Sequence, residues 1–327
     1  MSASFKQFDQ ITNSKDFNSH AIALFNYQYE YNSVYRSYCD LINTNPVEVH
    51  TIQDIPFLPI QFFKTHKIYS PNHPPVTSFE SNGTTGQIRS KHYLGDLETY
   101  HQSFEKGFEL FYGPIEEYAL LALLPSYLER DNASLVYMAN ELIKKTKHPQ
   151  SGFYLNDWER LKITLDSLEH KKQKTILLGV TFALLEIAEK FDWNLEHTLI
   201  METGGMKGMR KEWVKSALHT HLGKYFGVST IHAEYGMTEL LSQAYSKGEG
   251  KFYCPPWMKV MTRAIEDPFE LVSAGKTGGI NIIDLANIDS CAFIATEDLG
   301  VCHPDGGFEI LGRLDQAEIR GCNLMVL

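Results

Sequence analysis

The segment Tyr118-Ala-Leu-Leu-Ala-Leu-Leu124 is an unbroken apolar run that stops at Pro125. A strand that is covered on both faces has no solvent side, so its sequence is continuously apolar rather than alternating. Residues 175–179 and 198–203 form similar short runs, while residues 134–145 and 183–191 are interpreted as helices. Strands that alternate with helices in this way predict an α/β fold with a largely parallel sheet.

The regions on either side of this core contain further predicted elements. Residues 16–42 have apolar and aromatic positions at mixed three- and four-residue steps, which favours one amphipathic helix. From about residue 252, short segments separated by glycine-rich turns indicate an antiparallel β subdomain. The remaining predictions are a strand at 76–80, helices at 94–111 and 209–226, and a short strand at 229–232.

The charge balance excludes some classes of partner. The chain has 327 residues and a formal net charge of −10, and its lysines and arginines are scattered along the sequence. A nucleic acid or an anionic membrane surface requires a basic face, so neither is an expected partner. A local basic pocket for a phosphate group remains compatible with this composition.

Cysteine usage and hydropathy predict a cytoplasmic protein. The five cysteines are an odd number at irregular spacings, without a C-x-x-C pair or another zinc-binding pattern. The N-terminal residues contain no apolar run that resembles a signal peptide. No stretch approaches the roughly 18 apolar residues that a membrane span requires. We therefore expect reduced thiols and no membrane span.

The loop Ser81-Asn-Gly-Thr-Thr-Gly-Gln-Ile-Arg-Ser-Lys91 has the chemistry of a phosphate cradle. Glycines allow backbone N–H groups to face an anion, hydroxyl groups add donors, and Arg89 and Lys91 supply positive charge. On its own the segment is equally compatible with a solvated turn. Gly275-Lys276-Thr277 resembles the end of a P-loop, but residue 270 is Glu where that motif requires glycine, so we interpret it as a hairpin turn.

Three later motifs decide between the two interpretations of the loop. They are Tyr235-Gly-Met-Thr-Glu239, Thr296-Glu-Asp-Leu-Gly300 and Gly312-Arg-Leu-Asp315. In this order the four motifs resemble those of the adenylate-forming superfamily of acyl-CoA synthetases, luciferases and peptide-synthetase adenylation domains. Asn82 departs mildly from the usual loop. The resemblance implies that the chain binds ATP and Mg²⁺.

The resemblance also implies a role for each motif residue. Tyr235 and Gly236 would contact adenine, with the backbone of Gly204 and Gly205 at the edge of the ring. The groups expected around the phosphates, the metal and the ribose are Ser81, Gly83, Thr84, Thr85, Gly86, Arg89, Lys91, Thr238, Glu239 (also the Mg²⁺ ligand), Asp298 and Arg313. Alternatives remain open: Tyr235 as a core aromatic residue, Glu239 and Asp298 as surface carboxylates, and Arg313 as a partner of Asp315.

Within the superfamily, the motifs are most similar to those of the LuxE acyl-protein synthetase family. Residues 79–86, 89–92 and 318–322 carry this likeness. In that family the acyl group passes from the adenylate to an enzyme cysteine near the C-terminus, a position that Cys322 occupies here. A thiolate is a good nucleophile toward a mixed anhydride, although a free cysteine is often a small buried hydrophobe. The other cysteines (Cys39, Cys254, Cys291 and Cys302) are assigned to packing, and His232 is either a pocket residue or a structural one.

The resemblance therefore predicts one adenylate-forming domain over residues 1–327. Its α/β part, 1–250, would carry the phosphate loop, and a β-rich subdomain, 251–327, would end at the usual hinge. Only twelve residues follow Asp315, so we expect the family's C-terminal lid domain to be absent or replaced by a partner. The expected reaction activates a carboxylic acid, a fatty acid above all, and transfers it to the enzyme cysteine or to a reductase or carrier protein. Transfer to CoA or an amine, or an inactive nucleotide-binding protein, are the alternatives.

Overall fold

The computed structural model describes residues 5–70, 73–81, 88–124, 132–155, 157–204 and 215–314. Its helices are α1 (Ser14–Tyr31), α2 (Ser33–Leu41), α3 (Phe62–Thr65), α4 (Glu98–Tyr112), α5 (Ser134–Thr146), α6 (Trp158–His170), α7 (Thr181–Lys190) and α8 (Lys215–Phe226). Its strands are β1 (Leu58–Pro59), β2 (Thr77–Glu80), β3 (Lys91–Leu94), β4 (Ala119–Leu123), β5 (Gly152–Phe153), β6 (Thr175–Val180), β7 (Thr198–Thr203), β8 (Ile231–Tyr235), β9 (Ala244–Ser246), β10 (Lys251–Phe252), β11 (Met258–Arg263), β12 (Thr277–Asp284), β13 (Phe293–Cys302) and β14 (Phe308–Arg313).

The chain packs into two compact units that are interleaved in sequence. The first contains the described residues of Met1–Phe104, Met237–Ser242 and Tyr253–Leu327. The second contains those of Glu105–Gly236 and Gln243–Phe252. Helix α4 begins in the first unit and ends in the second. This division reflects packing, so the assignment of residues 1–327 to a single functional domain, subdivided after residue 250, stays a prediction.

A mostly parallel sheet forms the centre of the second unit. Its strand order is β5-β4-β6-β7-β8-β9, and all neighbouring pairs are parallel except β8 and β9. Every residue of β4 and β6 is buried, as expected of strands with helices on both faces of the sheet. The parallel sheet predicted from the apolar runs is therefore confirmed.

An antiparallel sheet forms much of the first unit. Strands β11, β12, β13 and β14 pair in sequence order, and β1 adds a short parallel pairing to β13. The register shifts between Gly279 and Asn281 and again between Leu299 and Gly300, and such bulges bend a sheet. The antiparallel pattern predicted from about residue 252 is confirmed. The hairpin β2–β3 pairs separately in the same unit.

The helix predicted over residues 16–42 is two helices, because Asn32 interrupts it. Its backbone is extended, with φ −101° and ψ 100°, and its side chain accepts a hydrogen bond from the N–H of Tyr35. The Asn32 amide also donates to the carbonyl of Ser290, 2.9 Å away. The same side chain therefore begins α2 and ties it to the antiparallel sheet, which a local apolar period cannot reveal.

Other element boundaries also differ from the predictions. Leu94 ends β3 rather than beginning a helix, and α4 starts at Glu98. Strand β8 extends to Tyr235 instead of ending at residue 232. Helix α6 was not predicted. Residues 209–214 of the helix predicted over 209–226 lie outside the described residues, and the rest is helical from Lys215.

Candidate active site

The hairpin β2–β3 frames the predicted phosphate loop. Glu80 and Lys91 form its last register pair. Beyond them the N–H of Ser81 donates to the carbonyl of Ser90 at 3.0 Å, and the N–H of Ser90 donates to Ser81 Oγ at 2.9 Å. Ser81 is thus held at the base of the loop. Gly83, Thr84, Thr85 and Gly86 lie outside the described residues, so their phosphate contacts stay predictions.

Both cations that follow the loop lie near Glu80. Lys91 Nζ is 3.0 Å from Glu80 Oε1, and Arg89 Nη1 is 3.7 Å from Glu80 Oε2. The hydrogen bond to Glu80 is the main cause of the raised pKa of Lys91. Both side chains are about half exposed and remain available to an anion. Glu80 was not among the predicted site residues, because a glutamate before a loop has no distinguishing sequence pattern.

Glu239 is a buried carboxylate with little internal charge compensation. Its side chain is only 4% exposed, so the alternative of a surface carboxylate does not hold. Burial raises the pKa of Glu239, and a hydrogen bond from Ser90 together with the charge of Lys64 only partly opposes this. Asp298 contributes to the raised pKa of Glu239 through its negative charge. Glu239 therefore lies within electrostatic reach of Asp298 and in contact with the residue that closes the loop.

A buried histidine and asparagine hold the backbone beneath Glu239. His92, the second residue of β3, has Nδ1 2.8 Å from the carbonyl oxygen of Thr238 and Nε2 3.0 Å from Asn287 Oδ1. The Asn287 amide donates to the carbonyls of Glu239 and Cys291 at 2.9 and 2.8 Å. Burial lowers the pKa of His92 to about 4, so the ring is neutral at pH 7 and its single N–H donates to only one of these two oxygens. The backbone of the predicted phosphate and metal residues is thereby fixed to the hairpin.

Asp298 and Arg313 face each other across β13 and β14. They form a register pair, and the N–H of Asp298 donates to Thr296 Oγ1 at 3.1 Å. The guanidinium of Arg313 forms an ion pair with Glu297, whose carboxylate also accepts a 2.7 Å hydrogen bond from Gln61. Asp315, the alternative partner of Arg313, lies outside the described residues. The predicted roles of Asp298 and Arg313 at the ribose stay predictions.

In the second unit, the predicted adenine residues lie at the carboxyl ends of β7 and β8. Ligands of parallel α/β sheets commonly bind at this edge. Tyr235 ends β8 half-buried, with its ring centroid 5.8 Å from that of Phe252. Gly204 follows β7 with φ +67°, and its carbonyl accepts a 2.9 Å hydrogen bond from the Thr181 hydroxyl. Gly205 lies outside the described residues.

Gly236 leaves room for a buried glutamate. A Cβ atom at residue 236 would lie 2.5 Å from Glu234 Oε1, which is a severe overlap. Glu234 is 6% exposed and accepts a hydrogen bond from the Thr203 hydroxyl. Burial raises the pKa of Glu234 to about 7, and the neighbouring Glu202 adds to the effect. Gly236 thus leaves space that the Glu234 carboxylate occupies, and a larger residue would displace that carboxylate.

The thiols within the described residues are not activated. Burial raises the pKa of Cys39 to about 12 and that of Cys302 to about 11, and it also raises the pKa values of Cys254 and Cys291. A thiol with a raised pKa is a poor nucleophile, as a packing role requires. Cys322 lies outside the described residues. His232 contacts Tyr112, whose hydroxyl is 3.3 Å from its Nδ1, which favours the structural interpretation of this histidine.

One carboxylate is sufficient for the magnesium ion that accompanies ATP. Such an ion is usually bound by one or two carboxylates together with phosphate oxygens and water. Across the described ranges, no group of three or more His, Cys, Asp or Glu side chains is arranged to hold a metal. Glu239 fits the smaller requirement, because a buried carboxylate with a raised pKa gains from a nearby cation.

Among the described residues, no helix is long and apolar enough to cross a membrane.

Known proteins with similar sequences and structures were then compared with this chain. The family model described as "Acyl-protein synthetase, LuxE" matches residues 2–327. The long-chain-fatty-acid–luciferin-component ligase of Aliivibrio fischeri is 23% identical over 92% of this chain and 85% of its own length.

Two solved ligase structures share the fold. A 2-hydroxyisobutyryl-CoA ligase in complex with 2-HIB-AMP has a TM-score of 0.70 at 13% identity, over 92% of this chain and 68% of its own. The O-succinylbenzoate coenzyme A synthetase MenE of Bacillus subtilis, in complex with ATP and magnesium ion, has a TM-score of 0.53 at 17% identity, over 76% and 53%. The chain belongs to the LuxE acyl-protein synthetase family of ligases, and its mixed α/β fold is related to that of adenylate-forming enzymes.

Proposed function

We propose that this protein uses MgATP to activate a carboxylic acid, a fatty acid above all, as an acyl-adenylate. The buried carboxylate of Glu239 is the observation that carries the proposal. It is only weakly compensated by other charges, its backbone is fixed by Asn287, and it contacts Ser90 at the base of the phosphate hairpin. A purely structural carboxylate at this depth would normally have a cationic partner. A bound magnesium ion would supply that charge.

The remaining motif residues have distinct roles in this proposal. The hairpin loop, with Arg89 and Lys91, binds the β- and γ-phosphates, and Thr238 binds the α-phosphate. Tyr235 stacks on adenine, with the Gly204–Gly205 backbone at its edge, and Asp298 accepts hydrogen bonds from the ribose hydroxyls. Arg313 is placed near the ribose. The described fold would correspond to the large N-terminal domain of adenylate-forming ligases, with residues 1–327 acting as one functional domain.

The proposed reaction is an in-line displacement at phosphorus. An oxygen of the substrate carboxylate forms a bond to the α-phosphorus, and the bond from that phosphorus to the bridging oxygen breaks. The electron pair leaves with pyrophosphate. Because no proton transfer is needed, the protein mainly positions the reactants and neutralises the charge that develops on the phosphates. Magnesium would screen the phosphate oxygens from the incoming carboxylate.

The proposed substrate class is supported by the family and by the Aliivibrio relative. The Aliivibrio ligase is named for a long-chain fatty acid, and we extend that class to this protein. We further propose that the acyl group passes from the adenylate to Cys322 and then to a partner protein. Transfer to CoA, an amine or a carrier protein is the alternative that the experiment must separate.

The decisive experiment incubates the protein with MgATP and radiolabelled fatty acids of different lengths. Pyrophosphate release and hydroxylamine-labile label on the protein are both measured. We expect both with the wild type, and pyrophosphate without stable label in Cys322→Ser. Absence of pyrophosphate with every acid would refute adenylate formation. Pyrophosphate release with no protein label, unchanged in Cys322→Ser, would refute the acyl-cysteine step and favour an external acceptor.

A further inference from the structure

A groove next to the β2–β3 hairpin concentrates positive charge in an otherwise acidic protein. It has a volume of about 450 Å³ and lies entirely within the first unit. The charged side chains that line it are Lys64, Lys67, Arg89, Lys91 and Glu80. Four positive charges against one negative leave a local excess of three, whereas the whole chain has a formal net charge of −10. Such a concentration attracts and retains anions.

Two of these cations have no carboxylate partner among the described residues. Arg89 and Lys91 lie near Glu80, but Lys64 and Lys67 form no ion pair with a described side chain. Lys67 is instead held by aromatic rings: its Nζ is 5.6 Å from the ring centroid of Tyr69 and 5.3 Å from that of Tyr93. Contacts of this kind orient an ammonium group without neutralising its charge.

Lys64 connects the groove electrostatically to Glu239. It lies on the short helix α3 with its side chain exposed, and its charge lowers the pKa of the Glu239 carboxylate. Lys64 is therefore within electrostatic range of the carboxylate proposed to hold magnesium. Phe63 and Tyr93 form part of the same lining, so the groove combines aromatic rings with ammonium groups.

The net positive charge of the groove favours a ligand with several negative charges. A single carboxylate would neutralise only one of the three excess charges, whereas an oligophosphate presents several anionic oxygens within a few ångströms. Lysine ammonium groups bind such oxygens as point charges and adapt to different phosphate positions. The volume accommodates a diphosphate with its hydration. An oligophosphate therefore matches both the charge and the size.

We propose that this groove binds the pyrophosphate that leaves the α-phosphorus during adenylation, with Lys64 and Lys67 as its ligands. The inference rests on the proposed function and deepens it. As the bond from the α-phosphorus to the bridging oxygen breaks, the released electron pair adds negative charge to pyrophosphate. Lys64 and Lys67, which line the same groove as the Glu80 ion pairs, stabilise that charge. A CoA-type acceptor also contains a diphosphate, so the experiment must distinguish the two sources.

The test measures binding of inorganic pyrophosphate with Mg²⁺ to the full-length protein by calorimetry. The variants are Lys64→Gln, Lys67→Gln and the double variant. Lys224→Gln is the matched control, because Lys224 is also exposed and lies 5.9 Å from a tyrosine ring, in the second unit. We expect each groove variant to weaken pyrophosphate binding about tenfold, with additive loss in the double variant. The control should bind like the wild type.

Three results would overturn the proposal. The first is a wild-type protein that does not bind pyrophosphate, and the second is a folded double variant that binds it normally. The third is a double variant that loses affinity for CoA but not for pyrophosphate, which would assign the groove to an acceptor. Because calorimetry requires no turnover, lysine-dependent pyrophosphate binding without acid-dependent pyrophosphate release would refute adenylation but retain the site.

Discussion

Glu202 in the second unit and Glu239 in the first are both deeply buried, yet folding shifts their pKa values in opposite directions. Their exposed fractions are 2% and 4%. Burial alone would raise the pKa of Glu202, but Lys215 at 2.9 Å and His219 at 3.4 Å outweigh it, so the pKa is lowered. Burial raises the pKa of Glu239, and nothing of similar strength opposes it.

On the proposal that Glu239 holds magnesium, the difference separates a carboxylate that stabilises the fold from one that binds a ligand. The Thr181 hydroxyl also donates to Glu202 at 3.1 Å, so that group is satisfied within its own unit. The backbone around Glu239 is fixed as firmly, through Asn287 and Leu241, but among the described residues its carboxylate has no cation as close as Lys215 is to Glu202. A carboxylate whose pKa is raised by burial and that lacks a close cation is a candidate for a functional site. The same substitution, Glu to Gln, should therefore have opposite consequences at the two positions.

The largest expected effect is the loss of adenylation in Glu239→Gln. Gln keeps the shape and an acceptor for Ser90, but removes the charge that a hard cation requires. We expect acid-dependent pyrophosphate release to fall about 10³-fold, close to 4 kcal/mol in the barrier, with a higher Mg²⁺ requirement. Initial rates over a magnesium titration measure both.

The stability of the same variant provides its control. A folded pKa above the unfolded value means that ionised Glu239 lowers the free energy of unfolding at neutral pH. Glu239→Gln should therefore unfold at the same temperature as the wild type or a higher one. A variant that is less stable, or one that retains full activity, would remove Glu239 from the proposed metal site.

The second prediction is a loss of stability in Glu202→Gln. The substitution leaves Lys215 beside a neutral group, and breaking a buried ion pair is strongly destabilising. Because the Lys215 side chain is 29% exposed, we expect the free energy of unfolding to fall by about 3 kcal/mol at pH 7, the lower end of the range for buried pairs. Because the pKa of Glu202 is lowered on folding, the difference from wild type should diminish as the pH falls below about 4.5. Denaturant titrations at pH 4 and 7 test this, and an equal loss at both would contradict the ion-pair account.

The contrast also explains how much of the fold the sequence could predict. Strands β4, β6 and β7 were predicted because their apolar runs are local and reflect burial on both faces. The break at Asn32 was not, because the carbonyl it binds belongs to Ser290, 258 residues away in the chain. Helix α6 was also missed. Local periodicity records what an element buries, but not the distant polar group that ends it.

In the candidate site, too, the sequence predicted the contiguous residues of a motif but not the distant residues that support them. The motif containing Thr238 and Glu239 was recognisable because its residues are contiguous. The residues that support this motif were not recognisable, because they are distant in sequence. His92 contacts Thr238, which is 146 residues away, and Asn287, which is 195 residues away. Glu202 lies in the run 198–203 that predicted β7, but only the structure places Lys215 and His219 beside it. Charge compensation depends on spatial neighbours, so sequence alone could not show that Glu202 has nearby cations and Glu239 has a weaker compensation.

The third prediction concerns Glu234, which shares the environment of Glu202 without its own cation. The groups that act on it are Thr203, Glu202, Lys215 and Tyr112. With a folded pKa of about 7 against an ordinary 4.5, the folded state keeps a proton that the unfolded state has released. Stability should therefore fall as the pH rises from 5 to 8, by an amount on the order of 2 kcal/mol.

Glu234→Gln isolates this contribution. The variant cannot titrate at residue 234, so the difference in unfolding free energy between variant and wild type should grow in favour of the variant from pH 5 to pH 8. Urea titrations at three pH values measure it. A difference that is constant over this range would mean that Glu234 is ionised throughout and that its pKa is not raised.

The smallest expected effect is that of Glu80→Gln. This variant compares an exposed ion pair, Glu80–Lys91, with the buried pair Glu202–Lys215. Glu80 and Lys91 form the same kind of ion pair as Glu202 and Lys215, but the Lys91 side chain is 50% exposed and that of Glu80 24%. Water already solvates such charges, so the pair contributes little to folding. We expect the free energy of unfolding to change by less than about 1 kcal/mol.

The functional effect of Glu80→Gln should have the opposite sign to that of the other glutamate variants. Without the carboxylate, Arg89 and Lys91 no longer divide their charge between Glu80 and an incoming phosphate, and the groove gains one unit of positive charge. Affinity for pyrophosphate should rise about threefold at low ionic strength, and less at high salt because the interaction is screened. Calorimetry at two salt concentrations measures this. A loss of affinity would mean that Glu80 orients Arg89 and Lys91 for the phosphate and does not compete with it. The exposed pair Glu80–Lys91 would then have a positioning role, as the buried pair Glu202–Lys215 has in the fold.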